Sequence, residues 1–256
     1  MLKKSDFIIP DWPAPANVHS LQTTRKGGVS DGPYASLNLG NHVHDDPLHV
    51  AHNRQLLSQF VPSEPVWLNQ VHGVTAIDAA NADCVPNADA SYTTRHNTVC
   101  VTMTADCLPI LLCDTAGTVV ASIHAGWRSL CDGVIEATAG KLLTASNVKA
   151  DHLMAWLGPA IGPSAFEVGS EVRAQFIAKD AQAESAFQPQ ANDKWLGNIY
   201  SIATQRLNNL GVNQIYGGQQ EQFCTVTDSA RFFSFRRDNV TGRMATMIWL
   251  TAPKLT

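Results

Sequence analysis

Apolar positions along the chain recur with two periods, and the switches between them mark out the elements. Val18 to Thr24 alternates as a strand does and runs into the turn-rich Arg25-Lys26-Gly27-Gly28. Asp46-Pro47 predicts a helix start, aspartate capping and proline in the first turn, with the helix reaching about Phe60. Val66–Leu68 and Val74–Asp78 read as short strands around Asn69-Gln70-Val71-His72-Gly73. Val99–Met103, Leu108–Cys113 and Val119–Ile123 are apolar runs of strand length. Gly126 begins a helical stretch to about Leu143, and Leu153–Leu157 reads as a buried strand ended by Gly158-Pro159. Helices over Glu171–Ala178 and Trp195–Leu210 follow, separated by a polar surface loop from Lys179 to Lys194. The last strands fall at Gln214–Tyr216, Phe232–Phe235 and Met244–Leu250. Several strands follow one another without a helix, which predicts a mixed sheet of α/β or α+β type in a single domain over 1–256.

Composition narrows the function. Of 256 residues, 45% are apolar and 16% charged, which supports a sizeable core and excludes a disordered or coiled-coil chain. The balance of 18 basic to 22 acidic residues argues against nucleic-acid binding, which rests on phosphate neutralisation. No apolar run approaches the roughly 18–20 residues that cross a bilayer, and the start lacks a signal-peptide core, so a cytoplasmic protein is expected, without membrane attachment. Its six cysteines are then reduced thiols, and no CxxC pair is present.

The most informative stretch runs from Thr104 to His124. Two apolar runs flank Asp114-Thr115-Ala116-Gly117, a four-residue turn. A hairpin centred on that turn sets Cys107 directly opposite His124, with Cβ atoms roughly 4.5–5.5 Å apart. The pair suits a shared metal or a Cys–His nucleophile. His124 is followed by Ala125-Gly126-Trp127-Arg128, where a helix begins, and helix N-termini favour thiolates. Cys113 and Cys131 read as small core residues. His72, in a turn, is the candidate third ligand, with an ordinary polar surface histidine as its alternative; two histidines and a cysteine with an open fourth position are the formula of a catalytic zinc site.

The Asn69–Gly73 turn, Thr104-Ala105-Asp106-Cys107-Leu108-Pro109-Ile110 and His124-Ala125-Gly126-Trp127-Arg128 together resemble the YfiH family, also called the laccase-domain or polyphenol-oxidase family. Further matches are Thr23 through Ser30, Ser36 through Gly40, Leu157 through Pro163, Phe233 through Arg237 and Thr241-Gly242-Arg243. The resemblance implies a four-layer α-β-β-α sandwich related to cytotoxic-necrotizing-factor-like cysteine hydrolases. It implies zinc on His72, Cys107 and His124. It also implies phosphorolysis of adenosine, inosine, guanosine and methylthioadenosine, adenosine deamination, and editing of a UDP-muramoyl peptidoglycan precursor. Where the family reads His-Val-Gly-Asp, this chain has His42-Val43-His44-Asp45, an extra imidazole near the expected site.

Physical chemistry weighs against the family's oldest label, copper oxidase. A multicopper site needs many imidazoles in paired HxH motifs, and only His42-Val43-His44 forms one among nine histidines. Copper still competes well for N/S ligands, and Met103 is near in sequence as a weak axial donor. For phosphate, Arg25 beside Gly27 and Gly28 and Arg128 at a helix start are the candidates. Asp106 is a candidate acid or base but needs an irregular backbone to share a face with Cys107. His42 and Asn38 are further substrate-binding candidates, with turn stabilisation as their alternative. Phe232, Phe233 and Phe235 read as core. The leading expectation is a zinc-dependent purine nucleoside phosphorylase taking nucleosides and phosphate, as monomer or homodimer. The alternatives are a metal-independent amide hydrolase with Cys107 as nucleophile and His124 as base, and a binding protein without turnover.

Overall fold

The computed structural model describes residues 2–218 and 222–252. Its strands are β1 (Phe7–Ile8), β2 (Val18–Thr23), β3 (Ala76–Asp78), β4 (Ala90–Thr93), β5 (Cys100–Thr104), β6 (Leu108–Asp114), β7 (Val120–Ala125), β8 (Leu153–Leu157), β9 (Glu167–Gly169), β10 (Phe187–Pro189), β11 (Lys194–Gly197), β12 (Gln214–Gly217) and β13 (Met244–Leu250). The α-helices are α1 (Pro47–Leu57), α2 (Trp127–Asp132), α3 (Val134–Ser146), α4 (Ser170–Lys179), α5 (Ile199–Asn209) and α6 (Phe235–Asp238). None is long and apolar enough to cross a membrane among the described residues.

Two sheets pack face to face. One has the order β1-β2-β13-β5, the other β12-β8-β6-β7-β4-β3, and a small β10-β11-β9 sheet stands apart. The six-stranded sheet is mixed: β12–β8 and β3–β4 are parallel and the rest antiparallel. Central strands are apolar on both faces because both are covered. In β13, Ala245, Met247 and Trp249 join Leu57 of α1 in an outer cluster, while Ile248 and Leu250 join Cys100, Leu111, Val120 and Trp156 between the sheets. The far face of the larger sheet buries Leu108, Ile110, Ile123 and Ala125 against Ile135, Leu142 and Ile202 of α3 and α5. Each such side chain is worth about 1.5–3 kcal/mol on burial. The result is the four-layer α-β-β-α sandwich of α+β class.

Five expected elements are rearranged. The helix from Gly126 is split at Gly133, whose φ of +102° turns the chain between α2 and α3. Lys179–Lys194 holds a 3-10 helix over Ala181–Ala186 and strand β10, and Trp195 lies in β11, so the following helix begins only at Ile199, capped by Asn198. Phe232–Phe235 forms no strand; the Ser234 hydroxyl caps α6 by accepting from the Arg237 N–H at 3.2 Å. Val66–Leu68 contributes an isolated bridge from Val66 to Cys100.

The hairpin register also differs. Asp114 remains in β6, its carboxylate accepting from Thr118 N and Val119 N, so the turn occupies Thr115–Thr118. That one-residue displacement of the turn moves the pairing by two. His124 faces Pro109, not Cys107. A slip of two preserves the face, whereas a slip of one reverses it. Cys107 therefore stays on the side of His124, one diagonal step along.

Candidate active site

Three separate elements bring the candidate ligands together. His72 sits in a tight turn with φ of +59°. Asp89, buried just before β4, holds that turn: its carboxylate accepts from the backbone N–H of Val71 at 3.3 Å, His72 at 2.9 Å and Gly73 at 2.6 Å. The same carboxylate accepts from His124 Nδ1 at 2.8 Å. A carboxylate only accepts, so Nδ1 carries the proton and Nε2 is the free ligand nitrogen. Cys107 follows Asp106, whose φ of +85° turns the chain out of the strand alternation before β6. This is the irregular backbone that Asp106 needed.

The donor atoms of His72, Cys107 and His124 all lie within 4.8 Å of one another. Cys107 Sγ is 3.8 Å from His72 Nε2, and the two imidazole centroids are 4.8 Å apart at 70°. Gly126 is what lets them meet. A Cβ there would stand 2.6 Å from His72 Cδ2 and 3.2 Å from Cys107 Sγ. One thiolate and two imidazoles, one of them oriented by a buried carboxylate, fit a zinc ion or another N/S-loving cation.

Burial alone raises a thiol and lowers an imidazole, yet both groups move the other way. His124 and His72 bring the Cys107 thiol down to about 6. The Cys107 sulfur and Asp89 bring the His124 imidazole up to about 9. Burial likewise opposes the charge on Asp89, but His124 and the turn N–H groups hold its carboxyl below the usual range. Without a cation the trio is thus a thiolate–imidazolium pair backed by a carboxylate.

These residues line one end of a cavity of about 490 Å³. Asp106, His42 and Arg128 line it as well. The Asp106 carboxylate accepts from Thr225 Oγ1 and the Arg236 backbone N–H, both at 2.6 Å. Burial, with help from Arg243 and Arg54, keeps the His42 imidazole below its ordinary pKa. Arg128 is exposed, with its guanidinium 4.3 Å above the Trp127 ring.

Arg25, Asn38 and His44 are not brought to the cavity. The Arg25 guanidinium donates to the carbonyls of Ala35 at 2.8 Å and Ser229 at 3.0 Å and covers the Phe233 ring, which makes it a clamp between loops. Asn38 is fully buried and ties Gly40, Asp45 and the Arg243 N–H together. His44 is exposed with φ of +68°, the left-handed region in which the family's glycine is at ease and a histidine is strained. Phe232 and Phe233 are core, but Phe235 is 53% exposed and lines the cavity, contrary to expectation.

Sequence reasoning missed Asp89, Gly126, Thr104, Trp127, Arg236 and Arg243. Thr104, Gly126, Trp127, Arg236 and Arg243 all stand in the matched motifs, which is the available signal. Asp89 had none, since its partners are set by the approach of a distant turn.

A model of the multi-copper polyphenol oxidoreductase laccase family matches residues 19–251. The chain is 53% identical over 249 residues to purine nucleoside phosphorylase YfiH of Escherichia coli, covering 96% of this chain and 99% of that one. It is 51% identical over 245 residues to a purine nucleoside phosphorylase of Pseudomonas aeruginosa, covering 95% and 98%. A solved Neisseria meningitidis protein superposes with a TM-score of 0.91 at 46% identity, covering 96% of this chain and all of that one. By the extent of these matches, the chain belongs to the YfiH, or laccase-domain, family.

Proposed function

We propose that the protein is a zinc-dependent purine nucleoside phosphorylase of the cytoplasm, acting on adenosine, inosine, guanosine and methylthioadenosine, with adenosine deamination as a side activity. The observation that carries this reading is the His72–Cys107–His124 group opening into a cavity large enough for a nucleoside, walled by aromatic and guanidinium groups. The relatives' names support its phosphorylase part. A cation bound there would supply Lewis acidity toward a substrate oxygen. Phe235 and Trp127 offer flat faces to a purine, and Arg128 and Arg243 offer positive charge to phosphate. Phosphorolysis breaks the bond from C1′ to the base and forms one from C1′ to a phosphate oxygen. The departing base takes up the proton that the attacking dihydrogen phosphate gives up, and Asp106, whose two oxygens accept from Thr225 and Arg236, holds the cavity wall beside it. The described residues offer one three-ligand group, which suits a single cation, zinc or copper, better than a multicopper cluster.

The test is incubation of the zinc-loaded protein with adenosine, with and without phosphate. Adenine and ribose 1-phosphate should form only with phosphate; absence of any purine product in both tubes overturns the reading.

A second reading draws on Asp89. Asp89, His124 and Cys107 stand in the order of orienting carboxylate, base and nucleophile. This supports a metal-independent amide hydrolase, for which the family resemblance suggests a UDP-muramoyl precursor as substrate. A covalent adduct at Cys107 in chelated, still active protein would favour it, and activity lost to chelation and restored by zinc would defeat it.

A further inference from the structure

Two groups in the cavity wall are incompletely satisfied within the protein: one has no hydrogen-bond partner, the other no ion-pair partner. The Thr104 hydroxyl is buried, lines the cavity, and has no hydrogen-bond partner. On the same face of β5, two residues earlier, Thr102 bonds the Ser122 hydroxyl across the sheets at 2.8 Å. Two residues beyond Ser122 on β7 comes His124, so Thr104 stands at the level of the ligand group. Arg243 is the second group. It adjoins Met244, the residue paired with Thr104 across β5 and β13. Its Nη1 donates to the carbonyls of Thr241 and Gly242, and its backbone is pinned by Asn38. Among the described residues no carboxylate forms an ion pair with it. Burial weakens its hold on its proton, against the opposing pull of Cys107, Asp106 and Tyr34.

A half-buried cation with no ion-pair partner among the described residues, next to an unpaired buried hydroxyl, is an incomplete binding site. The neighbouring Asp106 does not complete it, since both its oxygens accept from Thr225 and Arg236. Arg128 is exposed, and its charge is screened by water.

We infer that Thr104 and Arg243 form a subsite for a tetrahedral phosphoryl oxyanion beside the His72–Cys107–His124 group. The inference rests on the phosphorylase reading for the identity of the anion as free phosphate. The phosphoryl group of a larger substrate would present the same oxygens.

The experiment titrates the zinc-loaded protein calorimetrically with inorganic phosphate and, separately, with UDP, and measures the phosphate KM with adenosine. Thr104→Val keeps the shape and removes the hydroxyl, Thr104→Ser restores it, and Arg243→Gln removes the charge. Thr104→Val and Arg243→Gln should each weaken phosphate binding about tenfold or more, the size expected of one hydrogen bond to a charged group. Thr104→Ser should stay near the parent, and the adenosine KM should change little in Thr104→Val. A response to UDP but not to phosphate, lost in the same variants, would assign the subsite to a larger phosphoryl substrate. Phosphate and UDP binding that is absent from the parent, or unchanged in both variants, overturns the inference. In the latter case adenosine phosphorolysis still supports the function proposed above. Variant-sensitive phosphate binding without nucleoside cleavage keeps the subsite and removes the phosphorylase.

Discussion

Asp89 shows how one side chain sets the chemistry of others. It fixes the His72 turn through three N–H groups and the His124 tautomer through Nδ1. Orienting carboxylates of this kind are worth about 10–100-fold in metal affinity. Asp89→Asn should lower zinc affinity by that order in competition with a chromogenic chelator, while far-UV circular dichroism stays unchanged. The charge state of the pair gives a second expectation. The lowered Cys107 pKa adds stability as long as His124 keeps its charge, and that stability is lost as pH falls through about 6. The raised His124 pKa stabilises it fully below 6.5 and is lost as pH rises through about 9. Both charges therefore coexist between about 6 and 9. In the zinc-free protein, Cys107 alkylation by iodoacetamide, followed by mass spectrometry of its peptide, should rise with a midpoint near pH 6. A midpoint near 9 would mean that the imidazolium does not reach the sulfur.

At the scale of elements, the turn chemistry decided what periodicity left open. The 126–143 stretch is apolar at helical spacing, but Gly133 at φ of +102° breaks it into two helices with different directions. An added Cβ meets only the Glu136 side chain, at 3.4 Å, so backbone strain dominates the effect of a substitution there. Gly133→Ala should cost about 1–2 kcal/mol in urea unfolding. A smaller loss would show that the kink relaxes easily. The hairpin follows the same logic. Its strands and its face were legible because apolar runs of strand length flank a turn, whereas its register depended on Asp114 accepting from Thr118 and Val119. The polar 179–194 segment reads as a loop because β10 and β11 are short and half exposed, so they carry too few apolar positions to signal themselves.

At the scale of the molecule, the three ligands come from a turn before β3, the corner between β5 and β6, and the end of β7. A cation that binds them is bound only by the folded chain, so it must stabilise the fold by linkage. Free zinc at 100 times its dissociation constant should add about 2.7 kcal/mol, read as a rise in unfolding temperature. The rise should vanish in Cys107→Ala, and a rise of equal size in that variant would place the cation elsewhere.

The sequence alone determined the strand-rich α+β class and most element positions, and it pointed to His72, Cys107 and His124, which the fold brings together. These follow from local periodicity and from the few residue types able to ligate a metal. The tertiary structure decided which polar groups meet across distant segments. It removed Arg25 and Asn38 to structural hydrogen bonds, set Asp89 and Gly126 against the ligand group, and brought Thr104 and Arg243 to the cavity wall. Such partnerships depend on the packing of two sheets, and a hydrogen bond between residues far apart in the chain leaves no periodic trace in either segment.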